Sequence, residues 1–337
     1  LEDPECPLKP EIAKQVLKDL RGLVVIDEFQ RQSELFPLLR VLADRIDNPA
    51  QFLVLGSASL ELVRGISETL AGRAAFIEMA GFDLMEVGTE QSTALWIRGG
   101  FPRAYLAADD DASLGWRQNF MQSFLERDIP QLGIRIPAQA LRRFWVMLAH
   151  VQGQVWNAAD LARSLGSKED TARRYLDILE GAFLVRQLPP WFENVGKRLV
   201  KAPKVYIRDS GILHALLGLK DLIQVQSNYK LGSSWEGFAL EQIIRLAGVD
   251  REAYFYKTHG GAELDLLILR GGKRYGFEFK YADAPRTTKS MHVVIEDLKL
   301  DRLWVVYPGE RRYPFDERME AIPLSVCPEA LKEAGLR

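Results

Sequence analysis

Gly271-Gly272 stands between two strand-like segments, Ala262–Arg270 and Lys273–Tyr281. A two-residue hairpin turn needs positive φ at its central positions, which glycine adopts freely, so the pair specifies a tight hairpin and with it a register. Arg270 then pairs with Lys273, and counting outward sets Asp265 opposite Glu278 and Glu263 opposite Lys280. Cross-strand partners share a face. Glu263, Asp265, Glu278 and Lys280 are therefore expected on one face, and Leu264, Leu266, Phe277 and Phe279 on the other, toward a core. Asp265 directly opposite Glu278 is repulsive unless a cation sits between them.

Two carboxylates with a lysine two residues beyond the second form the D…ExK arrangement of the PD-(D/E)XK nucleases, here Asp265, Glu278 and Lys280. In that chemistry the carboxylates hold Mg²⁺, which lowers the pKa of a bound water and steadies charge on the scissile phosphate. The lysine positions or helps deprotonate the water. The competing reading is an exposed, charged hairpin face. Around the hairpin, Ser233–Ala247 reads as an amphipathic helix with a Ser cap, ended by Gly248. Ala253–Tyr256 is a short strand, about 287–299 a helix, and Leu303–Tyr307 a further strand, giving the order αβββαβ. Tyr256 and Lys257 lie near enough in sequence to help hold a phosphate.

At the other end, Leu23-Val-Val-Ile-Asp-Glu28 runs four apolar residues into two carboxylates, the pattern of a central parallel strand buried on both faces. Ligands of open α/β sheets bind at that edge. In P-loop nucleotide hydrolases this is the Walker B position, where the Asp holds Mg²⁺ and a following Glu polarises the attacking water. The plainer reading is a buried strand ending in acidic loop residues. A helix over 33–45, with Ser33 as N-cap, and a second buried strand over 51–59 complete a βαβ unit. Ser57, at the end of that strand, is placed to touch a phosphate or its water, and Arg73 to stabilise phosphoryl charge.

Trp156–Leu179 reads as helix, tight turn at Gly166, helix, with Ser167 capping the second helix and Leu176, Leu179 and Phe183 as its inward stripe. Were this helix-turn-helix to meet DNA, Lys168, Arg173 and Arg174 would face a groove or its phosphates, and a wing would bring Lys197, Arg198, Lys201 and Lys204. The competing reading is a module used for domain packing with solvated charges. The formal net charge of −2 provides no global pull toward nucleic acid, so binding would rest on these local patches. Cys6 and Cys327 are far apart and carry no metal-ligand spacing, which fits a reducing cytoplasm. No apolar run approaches the ~20 residues that span a bilayer, so no membrane partner is expected.

Together these stretches resemble the AAA-type ATPases of bacteria and archaea that carry a C-terminal domain of unknown function, built as a winged helix followed by a restriction-endonuclease-like domain. The matching residues are Leu1–Glu5, Val25–Gln30, Leu55–Ser59, Leu70–Arg73, Arg98–Pro102 and Leu125–Asp128. The resemblance implies Asp27 and Glu28 as Mg²⁺ and water residues, Ser57 as a sensor and Arg73 as an arginine finger. It implies Glu236, in a Gly-x-x-x-Glu match at Gly232–Glu236, as a further metal ligand beside Asp265 and Glu278. Arg127 and Asp128 match without an assigned chemistry.

The fold class expected is α/β. A truncated P-loop AAA-type parallel sheet covers 1–83, a helical segment 84–134, a winged helix 135–204 and an αβββαβ restriction-endonuclease-like domain 205–337. The family's phosphate loop, GxxxxGK[ST], has no match in residues 1–22, so the chain as given is expected to bind ATP poorly, the loop being expected in a preceding segment. ATP and Mg²⁺ are the cofactors implied, with DNA as partner and self-association through the ATPase domain. The leading expectation is a cytoplasmic AAA-family ATPase coupled to a DNA-binding winged helix and a Mg²⁺-dependent nuclease-like domain acting on DNA. Its rivals are an ATPase whose nuclease-fold domain is inactive, and a non-enzymatic regulatory or assembly module that binds protein partners or DNA.

Overall fold

A computed structural model describes residues 12–46, 50–56, 70–192, 196–249 and 252–337. The chain divides into two compact units. The first is Leu1–Met79 with Gln131–Ile134 and Leu176–Phe183; the second is Ala80–Pro130, Arg135–Tyr175 and Leu184–Arg337.

In the first unit, β1 (Gly22–Ile26) and β2 (Ala50–Val54) pair in parallel, Gly22 with Ala50 through Ile26 with Val54. Helices α1 (Ala13–Lys18) and α2 (Phe36–Ala43) bring Ala13, Leu17, Phe36, Leu39 and Leu42 into one cluster with Ile26 and Phe29, against which Val24, Phe52 and Val54 pack. The expected burial of β1 on both faces does not hold, for Leu23 is 66% and Val25 52% exposed. Strand side chains alternate, so Val24 and Ile26 take the core side and their neighbours the other. Among the described residues β1 pairs with β2 alone. The helix also begins later than expected: a 3₁₀ stretch, Phe29–Leu35, precedes α2, whose cap residue is Leu35 rather than Ser33. Pro37 in the first turn explains the start, because proline fits where the amide needs no acceptor.

The second unit opens with the expected helices, including α3 (Ser92–Arg98) and α4 (Asp110–Ser123), the latter capped by the Asp109 side chain on the Ala112 amide. The motif at Arg98–Pro102 has a packing explanation. Gly99 takes φ 80, a Cβ there would lie 2.2 Å from Asp209 Oδ1, and the Gly100 amide donates to Asp209 Oδ2 at 2.8 Å. The Leu125–Asp128 motif lies in a π-helical turn, Phe124–Asp128, where Arg127 Nε donates to Asp128 at 2.9 Å.

Next come α5 (Ala138–His150), β3 (Gln154–Val155), α6 (Ala158–Leu165), α7 (Glu169–Gly181), β4 (Val185–Leu188) and β5 (Lys204–Ile207). The three strands form an antiparallel sheet in the order β3-β5-β4. Gly166 ends α6 in the left-handed conformation, as its position predicts. Ser167 is not the cap: the first helical carbonyl is that of Lys168, to which the Ser167 hydroxyl itself donates. Leu176 and Leu179 are buried, but Phe183 is 42% exposed. It lies past the helix end with φ 57, so the helical period no longer sets its direction.

After α8 (Ser210–Leu216), α9 (Leu231–Ala247) starts behind Lys230 and ends at left-handed Gly248. Ser233 and Ser234 therefore lie inside its first turn rather than at its cap. Strands β6 (Ala253–Lys257), β7 (Glu263–Arg270) and β8 (Lys273–Phe279), helix α10 (Lys289–Leu298) and β9 (Arg302–Tyr307) follow in the expected αβββαβ order. β10 (Tyr313–Pro314) and β11 (Met319–Pro323) widen the sheet to β10-β11-β9-β8-β7-β6. Its α9 side buries Phe238, Ile243, Leu266, Ile268 and Phe277; its α10 side buries Tyr256, Leu267, Met291 and Ile295.

The hairpin register is as read from its turn, Arg270 with Lys273 through Leu266 with Phe277, and Gly271 and Gly272 take φ 59 and 77. Leu264 departs from expectation: it packs on the α10 side, opposite to Leu266, Phe277 and Phe279. The cause is a bulge. β6 pairs Tyr254 with Leu267 but Tyr256 with Leu264, so Asp265 and Leu266 together stand opposite Phe255. An extra residue in one strand reverses the alternation beyond it. No described helix is long and apolar enough to cross a membrane.

Candidate functional site

The bulge places Asp265 where the β7–β8 ladder ends, and its Oδ2 accepts the Phe279 amide at 3.1 Å. Bulges commonly re-aim a side chain beside functional sites. Into the same neighbourhood α9 brings Glu236, β7 brings Glu263, β8 brings Glu278, and β5 brings Lys204.

Lys204 is the centre of the cluster. Its Nζ lies 2.7 Å from Glu263 Oε1, 3.3 Å from Asp265 Oδ1 and 3.4 Å from Glu236 Oε1, and its side chain is only 2% exposed. Tyr206, two residues along β5 and so on the same face, donates to Glu236 Oε1 at 2.6 Å. Lys257 holds the other oxygen of Glu263 at 2.6 Å. Lys280, expected opposite Glu263, instead pairs at 2.9 Å with Glu278 on its own strand.

Burial and the nearby Asp265 charge push Glu278 up to about 8 despite Lys280, and push Glu236 up to about 7 despite Lys204 and Tyr206. Burial also acts on Glu263, yet Lys204 and Lys257 hold its carboxyl below the usual range. Desolvation works against the Lys204 charge; the surrounding Tyr206, Glu236, Asp265 and Glu263 outweigh it and raise its pKa well above the ordinary value.

Glu236, Asp265 and Glu278, the expected metal ligands, are hard oxygen donors of the kind Mg²⁺ takes. They do share one neighbourhood. The position among Glu236, Glu263 and Asp265 belongs to an ammonium, however, and among the described residues no three His, Cys, Asp or Glu side chains converge as a metal-holding group. As folded, the donor set does not fit the ion. An open cleft of about 480 Å³, lined among others by Glu236, Lys280, Tyr281 and Arg286, leads to the cluster.

Lys204 and Tyr206 are the site residues that sequence reasoning missed. The sequence pattern sets Lys204 on the wing, facing DNA; the structure buries it instead. The signal available was the alternation Lys-Val-Tyr-Ile, which sets Lys204 and Tyr206 on one strand face. Lys197 is exposed, and its Nζ lies 2.6 and 2.7 Å from the two oxygens of Asp297 on α10, which also accepts the Tyr256 hydroxyl at 2.9 Å. Tyr256 is fully buried and not placed to hold a phosphate. Lys168, Arg173, Arg174, Arg198 and Lys201 are exposed, and Arg173 lies 3.7 Å from Glu169 one turn away. The stretch 168–177 balances Lys168, Arg173 and Arg174 with Glu169, Asp170 and Asp177.

In the first unit, Asp27 and Glu28 follow β1 at its C-terminal edge. Asp27 Oδ1 accepts the Glu28 amide at 2.9 Å, and Glu28 takes φ 56, a left-handed conformation rare away from glycine. Arg73 Nε is 2.6 Å from Asp44 Oδ1, an exposed local ion pair. Ser57 lies outside the described residues.

Residues 1–88 match the family model of an AAA domain, 89–222 a domain of unknown function (DUF8612), and 231–327 a domain of unknown function (DUF4143). Two curated proteins, uncharacterized protein Mb2031c of Mycobacterium bovis and uncharacterized protein Rv2008c of Mycobacterium tuberculosis, are each 50% identical over 307 residues, which is 91% of this chain and 69% of theirs. The crystal structure of protein VC1899 from Vibrio cholerae aligns with 94% of this chain and 90% of its own at 10% identity, with a TM-score of 0.22, too low to bear on the fold.

Proposed function

This chain belongs to an AAA-type family with C-terminal domains of unknown function, and from that footing we propose an ATPase-type protein whose nuclease-like C-terminal domain does not cleave nucleic acid. One observation carries the second half: the Lys204 ammonium lies within 3.4 Å of carboxylates from three positions, Glu236, Glu263 and Asp265. Of these, a nuclease of the D…ExK kind needs the Asp265 and Glu236 oxygens for a cation that activates water. With Lys204 among them the ion's place is taken, and Lys280, although it borders the cleft, is held by Glu278. On the nucleotide side, Asp27 would hold Mg²⁺ and Glu28 would orient the attacking water at the edge of the parallel pair, where open α/β sheets take their ligands. Bound Mg-ATP would supply the phosphoanhydride and the charge that those carboxylates face.

The test is a cleavage assay of the chain on single- and double-stranded DNA with Mg²⁺ or Mn²⁺. No products are expected. Metal-dependent cleavage that disappears in Asp265→Ala would overturn the reading.

DNA binding without cleavage falls, in this reading, to the helix pair α6–α7, whose order with the three-stranded sheet supports a winged-helix reading, and to Arg198 and Lys201. Anisotropy with a random duplex should show binding that weakens with salt. Arg173→Ala with Arg174→Ala should lower the slope of log affinity against log salt by about 2, one unit for each phosphate no longer neutralised. An unchanged slope would remove α7 from the interface.

A further inference from the structure

We infer that Lys204 is a built-in replacement for a divalent cation, so that this domain carries its own permanent counter-ion where a metal would otherwise sit. The inference rests on the reading of the hairpin carboxylates as a nuclease-type cluster and deepens it. An ammonium offers three N–H donors and one positive charge. Lys204 Nζ meets three acceptors, one oxygen each from Glu263, Asp265 and Glu236, at 2.7, 3.3 and 3.4 Å. These come from a helix and a strand of the larger sheet layer, whereas the lysine comes from the three-stranded sheet. A hard cation coordinating the same oxygens would lie at about 2.0–2.6 Å from them, in the space that Nζ fills. The two are mutually exclusive.

Several interactions keep the lysine seated. Tyr206, on the same face of β5, donates to Glu236 at 2.6 Å. Arg186 on β4 and Arg208 just beyond β5 both reach Glu241, one turn and a half farther along α9. The Lys204 ammonium also lies 5.7 Å from the Phe255 ring centroid, on the residue that faces the bulge. These ties brace the small sheet against α9, and the lysine is part of the folded core rather than a side chain that swings in from solvent.

The experiment compares Mn²⁺ binding, by titration followed by electron paramagnetic resonance, to the wild type, Lys204→Met and Lys204→Met/Asp265→Asn, with far-UV circular dichroism as the control for folding. Methionine keeps most of the volume and removes the charge. Lys204→Met is expected to bind Mn²⁺ at least about tenfold more tightly than the wild type, equivalent to about 1.4 kcal/mol. The gain should vanish in the double variant, which also separates it from any Mn²⁺ held at Asp27. If Lys204→Met is unfolded in chelator, Mn²⁺ at millimolar concentration should restore its dichroism, because a ligand that binds only the folded state stabilises it.

A folded Lys204→Met with wild-type Mn²⁺ affinity, a gain that survives Asp265→Asn, or an unfolded variant that Mn²⁺ does not rescue overturns the inference. Metal-dependent cleavage by the wild type overturns the reading of function and this inference with it, whereas a failure in Mn²⁺ binding alone leaves the functional reading standing, so the two failures are told apart.

Discussion

Glu241→Gln should lower the unfolding free energy by about 3–5 kcal/mol, the range for removing one partner of a buried ion pair. The carboxylate on α9 is 2% exposed and takes Arg186 from β4, with Nη2 at 3.0 Å, and Arg208 Nε at 3.3 Å. Both guanidiniums are nearly buried, at 10% and 8% exposure, so glutamine would remove the negative charge that two desolvated cations share. Burial alone would push Glu241 up, but Arg186 and Arg208 pull it down to about 2. A depressed folded-state pKa means that the stabilisation is fully present above the ordinary 4.5 and is lost only as pH falls toward 2. The difference between wild type and variant in urea denaturation should therefore be constant from neutral pH down to about 5. A loss below about 1 kcal/mol, typical of exposed pairs, would show that the triad is solvated and does not brace the small sheet.

Between pH 7.5 and 5 a single buried histidine should cost the wild type about 2 kcal/mol relative to a variant without it, against the opposite contributions of Glu236 and Glu278, whose raised pKa values favour the folded state as pH falls. His214 on α8 is fully buried, and burial pushes its pKa down to about 4 from 6.5. Its Nδ1 lies 3.1 Å from the Ile97 carbonyl oxygen, which can only accept, so Nδ1 carries the proton and Nε2 accepts from the Ser234 hydroxyl at 2.7 Å. Ser234 Oγ in turn accepts Trp96 Nε1–H at 3.0 Å. Charging the ring would set a second donor against that serine.

His214 takes up its proton near 6.5 in the unfolded chain and only near 4 in the folded chain, so this group's contribution falls with pH across that window and its full cost, about 3 kcal/mol, is reached below it. His214→Gln keeps a donor and an acceptor but cannot titrate. The stability difference between wild type and variant should change by about 2 kcal/mol over the same interval, the groups common to both cancelling. Parallel pH profiles in the two proteins would assign the acid sensitivity elsewhere.

Both predictions concern residues that say little by themselves. Glu241 and His214 carry no motif, and each becomes decisive only through partners 55 and 20 residues away. The same holds at the candidate site. Lys204 lies 32 residues from Glu236 and 61 from Asp265, and no local pattern links them. Lys197 likewise reads as part of a basic wing along the chain, while its partner Asp297 stands 100 residues on.

By itself the sequence determined what depends on neighbours along the chain. Gly271-Gly272 set the hairpin and its register as far as Leu266 and Phe277, because a two-residue turn leaves the ladder no other pairing. Gly166 and Gly248 ended their helices because left-handed closure suits a residue without Cβ. Apolar periodicity located the αβββαβ elements. Only the tertiary structure decided which face Leu264 takes, since the bulge arises in the pairing with β6 and not in the hairpin. It alone decided that the cation among Glu236, Glu263 and Asp265 is Lys204. Register is a short-range consequence of turn geometry and alternation, whereas the neutralisation of buried carboxylates depends on which separately formed sheets meet, and the need of each buried charge for a partner does not say from where along the chain that partner comes.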